Sequence, residues 1–543
     1  MRLPLGSLAI AASLAALFLF PGCDGGSGTT TPPSGTTPSP TPAVDIPTSP
    51  TGVDATVIDL ATASPVTVIY AAGKGDLESD QPGLAAGDFN DDGLDDLLVG
   101  ARFADPDGRE DAGAAYIIAG SRSPAKSIDL AAQEQDVTIM GARPGDNLGF
   151  SAAAADVNAD GIDDMVLGAF AAGAPGDPST RPGAVYVLFG RNDLPDSLDL
   201  AGASPDVTIS GLTANGYFGD SVASGDINGD GTADLIVGAT FDRGSDTGGP
   251  PVRGGATYVY LGRQHWPADI SAGDADVAVY GAEDLDELGD FVASGDINGD
   301  GLDDIISTAE AADGPENARP TAAEVHVVFG RHDIEGAFEI AGGDQDLSIY
   351  GASASDTLGF SLATGDLNGD GVDDLIMGAR LANGPGDALN RAGRVYVLSG
   401  DRDLPESIDL AETPDAVVAI HGQDRSDFLG TITAVADLNS DGRNELIMGA
   451  AFADAPSRPD AGVLYIAPAP KEAGPSGPVS VAELPRRAVI YGATPSGLFG
   501  ASVAAGDFDG DGRLELIAVA MNADGPGGER PGAGRVYVIK VGG

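Results

Sequence analysis

The sequence predicts an all-β fold, a seven-bladed β-propeller of four-stranded blades closed by an N-terminal strand that joins the last blade. Three observations predict it. An acidic loop begins at Asp88, Asp156, Asp226, Asp296, Asp366, Asp437 and Asp507, at intervals of 68, 70, 70, 70, 71 and 70 residues. Each interval reads as four short strands with no helical pattern, and a radially closed array of four-stranded repeats is a propeller. The chain ends on the fourth type of strand, while a spare strand of the first type stands at the beginning.

The third copy shows the plan. "DVTISG" (206–211) alternates polar and apolar residues and reads as a strand. "YFGDSVASGD" (217–226) is a second strand, built of small residues that suit a crowded propeller axis. The acidic loop follows, then the apolar "ADLIVGA" (233–239), a Gly/Pro-rich loop, and "GATYVYLG" (255–262). The period exceeds the ~40–45 residues of compact blades. The surplus falls in the two loops and in connectors such as "DSLDLA" (196–201). At the C-terminus "GRVYVIKVGG" (534–543) has no "DVTI"-type strand after it, whereas "SPVTVIYAA" (64–72) precedes copy one and "ATVIDLA" (55–61) matches the connectors. The N-terminal strand therefore completes the seventh blade and removes an edge open to aggregation.

Residues 1–23 read as a signal peptide: Arg2, an apolar run from Leu8 to Phe20, then small residues. Cys23, the single cysteine, gives the signal a lipoprotein-like end and is the expected lipidation site. Phe20-Pro21-Gly22 replaces the usual aliphatic-small-small trio, and plain secretion is the alternative. Residues 24–52 are a Gly/Ser/Thr/Pro-rich spacer, and 53–543 are the propeller. The 28 Lys+Arg against 83 Asp+Glu give a net charge of −55, which excludes nucleic acid and an anionic membrane surface as partners. Contact with a membrane is expected only through the Cys23 anchor.

The loop has the spacing D-x-N-x-D-G-x-x-D. Oxygen side chains at alternating positions of a tight turn converge, the sixth-position glycine permits the turn, and the seventh residue offers its carbonyl. An all-oxygen set suits Ca²⁺ before Mg²⁺. Up to seven ions are expected. The donor sets are Asp88, Asn90, Asp92, Leu94 and Asp96; Asp156, Asn158, Asp160, Ile162 and Asp164; Asp226, Asn228, Asp230, Thr232 and Asp234; Asp296, Asn298, Asp300, Leu302 and Asp304; Asp366, Asn368, Asp370, Val372 and Asp374; Asp437, Asn439, Asp441, Arg443 and Glu445; and Asp507, Asp509, Asp511, Arg513 and Glu515. An EF-hand is rejected, because its twelfth position needs Glu and here holds Val99, Leu167 or Val237 inside a strand. Acidic turns that cap hairpins without metal are the plainer alternative.

"YFGDSVASGDINGDGTADLIVGA" (217–239) and "GAVYVLFG" (183–190) resemble the FG-GAP repeat of integrin α-subunit propellers. The resemblance covers roughly 64–543 and implies a seven-bladed propeller with an extracellular binding role. Copy one lacks the FG element, copy four reads "ISTAEAA" for the GA element, and copy six reads "FLGTITAVAD". In that family the ligand face lies opposite the calcium loops, on the loops between second and third strands and those between blades. Here those second-to-third loops carry Arg109, Arg181, Arg253, Arg319, Arg391, Arg458 and Arg530. They are either an anion-binding ring near the pore or inter-blade ion pairs with acids such as Asp146, Asp286, Asp356 and Asp427.

No catalytic constellation is expected. His265, His326, His332 and His421 are scattered over different copies, and Trp266 reads as a packing residue. Glycosylphosphatidylinositol phospholipases D, whose repeats these resemble, keep their chemistry in a separate domain. The expected function is adhesion to, or recognition of, a protein or glycan outside the cell. A scaffold of an envelope complex is the alternative, and a repeat module of a secreted hydrolase the third.

Overall fold

Seven sheets, each anchored on one acidic-loop copy, make up the computed structural model, which describes residues 56–79, 83–174, 180–243, 253–469 and 478–541. The signal, the spacer and Cys23 lie outside the described residues. In blade 3 the strands run, from the axis outward, Phe218–Gly225, Asp234–Ala239, Ala256–Tyr260, Val277–Tyr280 and Gly336–Glu339. The first four are antiparallel, and the fifth lies parallel to the fourth. The first strands of neighbouring blades abut all the way round, from Leu84–Gly87 to Phe499–Gly506 and back to Leu84–Gly87. They line the axis, where their small side chains were expected. Among the described residues the only helices are short 3-10 turns.

Each blade thus has five strands where four were expected. The extra strand comes from the connector. After its third strand in blade 3, the chain crosses to blade 2, where Asp269–Ser271 pairs beside Val207–Ser210, and returns as the fourth strand of blade 3. Every blade is lapped in this way by the chain of its successor. Three alternating residues suffice, because the fourth strand would otherwise present an unpaired edge.

Closure follows the same rule twice. Thr67–Tyr70 pairs antiparallel with Arg535–Ile539 and completes blade 7, as expected. Thr56–Asp59 also pairs, in parallel with Ala488–Tyr491, and gives blade 6 its fifth strand. Residues 56–70 are therefore one whole lap-and-return unit placed at the start of the chain.

The core lies between sheets. The second strands, such as Asp96–Ala101 and Asp234–Ala239, are buried along their whole length. One cluster joins Leu97, Val99 and Tyr116 of blade 1 to Ile517, Val519, Val536 and Val538 of blade 7. Each fully buried Leu, Ile or Val contributes about 1.5–3 kcal/mol. Two recurring glycines let the sheets come this close. A Cβ on Gly100, Gly168, Gly238, Gly378 or Gly449 would sit 2.0, 2.2, 1.9, 2.3 or 2.6 Å from the carbonyl oxygen of Gly149, Gly219, Gly289, Gly430 or Gly500 in the next blade. The second glycine of each pair has φ between 81° and 90°, a region that side-chain-bearing residues avoid. In the variant fourth copy, Thr308 takes the first glycine's place and its hydroxyl donates to the Gly359 carbonyl at 2.9 Å.

Gly238→Ala should cost about 3 kcal/mol or more, since the methyl has backbone on its far side. Gly202→Ala, exposed with open space around it, should stay within about 0.5 kcal/mol. Urea denaturation of the two variants measures both, and equal effects would refute the close-approach account.

Candidate cation loops and the opposite face

The acidic loops join the first and second strands of every blade, so all seven lie at one end of the ring. Two residues in each adopt positive φ: Asp91 and Gly93 in the first loop, Gly229 and Gly231 in the third, Ser440 and Gly442 in the sixth. These turns fold the chain around the first aspartate, whose carboxylate accepts the N–H groups of positions five and six. For Asp88 the donors are Asp92 at 3.1 Å and Gly93 at 2.8 Å, and Asp156, Asp226, Asp296, Asp366, Asp437 and Asp507 repeat the pattern. The fifth-position carboxylate accepts the N–H of residue seven, as Asp92 does from Leu94 at 3.0 Å.

The ninth residue is the buried wall of the site. Asp96, Asp164, Asp234, Asp304 and Asp374 are at most 2% exposed. Asp234 accepts the N–H of Ile227 at 2.9 Å and of Gly262 at 2.7 Å, which ties the loop to the end of the third strand. In four of these five loops the third-position asparagine donates its amide to the same carboxylate, as Asn298 does to Asp304 at 3.0 Å. Burial pushes Asp96, Asp164 and Asp234 up to about 7, Asp304 to about 8 and Asp374 to about 6, and the loops' own acids add to the rise. Carboxylates gathered and desolvated in this way are a donor set that a hard divalent cation fits.

The sixth and seventh loops differ. Arg487 reaches Glu445 at 2.7 Å and Asp441 at 2.7 Å. The Lys540 ammonium lies 2.7 Å from Asp509 and 3.7 Å from Glu515, and also pairs with Asp511. Asp507, Asp509 and Asp511 bring carboxylate oxygens within 4.8 Å of one another, and the ammonium pairs with two of the three. Among the described residues, the ion pairs that reach loop acids are confined to these two loops.

The eighth position was missed. Asp163 of blade 2 accepts the Asp88 N–H of blade 1 at 3.0 Å, Asp303 the Asp226 N–H at 2.8 Å, Asp373 the Asp296 N–H at 3.2 Å, and Asp95 the Asp507 N–H at 2.7 Å. Asn444 reaches the Asp366 carbonyl at 3.2 Å. Each of these loops is clamped at its first aspartate by the next blade, and the last clamp crosses the chain closure. The recurring D-D at positions eight and nine was the available signal.

At the opposite end lie the loops between second and third strands. Four of their arginines point to the rim. Arg109 pairs with Asp199 at 2.8 Å, Arg319 with Asp409 at 2.6 Å, Arg458 with Asp59 at 2.6 Å and Arg530 with Asp129 at 2.7 Å. Every one of these aspartates ends the fifth strand of the arginine's own sheet, so the pair pins the lapping chain of the next blade. The expected partners are used otherwise. Asp146, Asp286 and Asp427 cap their own turns, accepting the N–H groups of Arg143, Glu283 and Asp424. Asp356 is likewise bonded by the backbone of Ser353. Burial pushes Asp146 up to about 6, and Arg181 offsets a small part of that rise. Arg253 lies 5.7 Å from the Phe241 ring centroid, and the Arg391 N–H donates to Asn383.

The same end carries half-buried aromatics in edge contact: Phe150 to Phe170 at 4.7 Å, Phe170 to Tyr217 at 5.2 Å and Tyr217 to Phe241 at 5.2 Å. Beside them, Asp220, Glu287, Asp290 and Glu310 form an acidic group in which burial and neighbouring charge hold Asp290 well above the usual range and Glu287 at about 7. The residue type at these repeat positions changes from copy to copy, as from Tyr217 to Glu287, so periodicity gave no notice of them. His326 is buried on Ser348, His332 bonds the Asn228 carbonyl and His421 the Gly422 carbonyl, while His265 is exposed. They do not converge. Trp266 packs against the core of blades 2 and 3 and donates to the Val157 carbonyl at 3.0 Å.

Fold and loops together define a seven-bladed β-propeller with an acidic loop in every blade. Residues 82–118, 218–261, 358–398, 429–466 and 499–539 match the family model of the FG-GAP repeat, in blades 1, 3, 5, 6 and 7. The chain carries FG-GAP repeats and is homologous to integrin α chains. It is 33% identical over 249 residues to integrin alpha-7 of Mus musculus, covering 45% of this chain and 18% of that one. It is also 27% identical over 384 residues to the phosphatidylinositol-glycan-specific phospholipases D of Bos taurus and Homo sapiens, covering 68% of this chain and 42% of each of those. The chain thus spans less than half the length of these phospholipase relatives.

The guanidinium of Arg319 holds Asp409 below the usual carboxylate range, as Arg109 does Asp199. A depressed pKa gives stability that is present at neutral pH and lost as pH falls through the folded-state value. Arg319→Met should therefore lose about 1–2 kcal/mol at pH 7, and the gap from wild type should close below about pH 4. Denaturant titrations at pH 7 and pH 3 check this. A gap unchanged at pH 3 would mean that the arginine acts through packing alone.

Proposed function

We propose that this chain is a calcium-stabilised propeller displayed outside the cell, where it recognises a protein or glycan through the face opposite its acidic loops. One observation carries the recognition reading: the row Phe150, Phe170, Tyr217 and Phe241 stands partly exposed at the strand ends of blades 2 and 3. Aromatic edges held by one another are rigid contact area, gained with little loss of side-chain freedom. The integrin homology supports the same role. Secretion, and a lipid on Cys23 with residues 24–52 as a tether, belong to this reading. Among the described residues no helix is long and apolar enough to cross a membrane.

Calcium would be held by the first, third, fifth and ninth side chains of the loops with the seventh carbonyl. It would neutralise carboxylates that now repel one another, and so fasten the hairpin that the next blade clamps. Extracellular sites of this kind bind at roughly 10⁻⁴–10⁻³ M.

The phospholipase D alignments, which take in 68% of the chain, favour a second reading as a repeat module of a secreted hydrolase. A scaffold role in an envelope complex is the third. Hydrolysis of a glycosylphosphatidylinositol substrate by the full chain would install the second reading in place of the first.

Chelation should lower the melting temperature by several degrees and millimolar Ca²⁺ should restore it; a melt indifferent to both removes the calcium part. On glycan arrays and in pull-downs, Tyr217→Ala should weaken binding about tenfold, equivalent to ~1.4 kcal/mol, with an unshifted melt. Binding that survives replacement of both Tyr217 and Phe170 sinks the aromatic surface.

A further inference from the structure

The seven loops fall into two chemical groups. Loops one to five end in aspartate, and loops six and seven end in Glu445 and Glu515. In these two alone, among the described residues, a basic side chain from the same blade enters the donor set. Lys540 follows the third strand of blade 7. The matching residues elsewhere are Ala119, Phe189, Leu261, Phe329, Ser399 and Pro468. Arg487 precedes the fourth strand of blade 6. Blades 1 to 4 place Asp136, Asp206, Asp276 and Asp346 there, each accepting the N–H that follows the third strand. Blade 6 reverses the charge at that position and turns it into the loop.

The basic groups and a metal ion would compete for the same oxygens. Ca²⁺ binds oxygens at about 2.3–2.6 Å, and Lys540 already lies 2.7 Å from Asp509 and pairs with Asp511. Arg487 engages both the fifth and the ninth residues of its loop. The longer glutamate brings the ninth carboxylate out to meet the cation: Glu445 is 2.7 Å from Arg487. Two loops thus changed twice in concert, at the ninth residue and at a residue 42 (487 − 445) or 25 (540 − 515) positions further on.

We infer that the sixth and seventh loops are neutralised by Arg487 and Lys540, cations supplied by the chain, so that the ring takes up five divalent ions rather than seven. These are also the two blades that residues 56–70 complete. The Arg487 carbonyl receives the Thr56 N–H at 2.8 Å, the first bond of the N-terminal strand. The seam of the ring is therefore charge-balanced without metal, and the five other blades carry the dependence on calcium.

This inference rests on the calcium reading of the first five loops, and one experiment separates the two. Native mass spectrometry of the full chain, titrated with Ca²⁺, should count five bound ions. Lys540→Met and Arg487→Met should each count six, and the double variant seven. Ser399→Lys, an exposed change that gives blade 5 the lysine of blade 7, should count four. A variant that folds only with Ca²⁺ present also supports the inference, because its loop has become metal-dependent. Seven ions on the wild type overturn it, as do counts that no variant moves. A wild type that binds none, with each Met variant gaining one, defeats the calcium reading of the first five loops and leaves the tethered cations standing. No ion on any chain defeats both.

Discussion

The glycine-to-glycine contact between consecutive blades is the constraint on which the rest depends. Seven wedges closing on an axis must meet near their inner edges, and a methyl group there would stand about 2 Å from a carbonyl oxygen in the next blade. The FG and GA elements are thus two halves of one joint. The departures agree with this. Thr308 supplies a hydrogen bond where the glycine is missing. Val519 of blade 7 occupies the corresponding place facing copy one, the copy that lacks the FG element.

Charge is handled through the same joints. A net charge of −55 is tolerable in a folded ring only if the acids are held apart or neutralised. The acidic loops concentrate carboxylates at one end, and the eighth-position side chains, four aspartates and Asn444, bond to the main chain of the neighbouring blade's loop. Filling one loop with a cation should then steady two blades rather than one. At the other end the arginine–aspartate pairs fasten the lapping strands. Both devices act between blades, where a ring assembled from sheets is weakest.

The sequence made the ring legible because its period is written in the acidic loops, and because the terminal strands are complementary: "SPVTVIYAA" is spare and "GRVYVIKVGG" lacks a neighbour. It hid the fifth strands, since Ser197–Asp199 is three residues long and becomes a strand only beside a strand some 60 residues earlier. The partners of the arginines were hidden for the same reason. Arg458 meets Asp59 across 399 positions, whereas Asp146, proposed from proximity in the repeat, is occupied by its own turn. Lys540 looked like the last residue of a strand, and its place among Asp509, Asp511 and Glu515 follows from how that strand exits over the loop. The turn of the loops was legible in their spacing, while the difference between aspartate and glutamate at position nine went unweighed.

The lap-and-return path has a consequence in time. Residues 56–70 are made first, yet their partners, Ala488–Tyr491 and Arg535–Ile539, are made last. During synthesis blades 1 to 5 are completed by chain that follows close behind them, while the strands Thr56–Asp59 and Thr67–Tyr70 wait with unpaired edges for more than 400 residues. Such long-range closure is slow and exposes strands to mispairing. The last turn of the ring is therefore a kinetic checkpoint: Thr56–Asp59 stays unpaired until blade 6 is made, and Thr67–Tyr70 until blade 7 is.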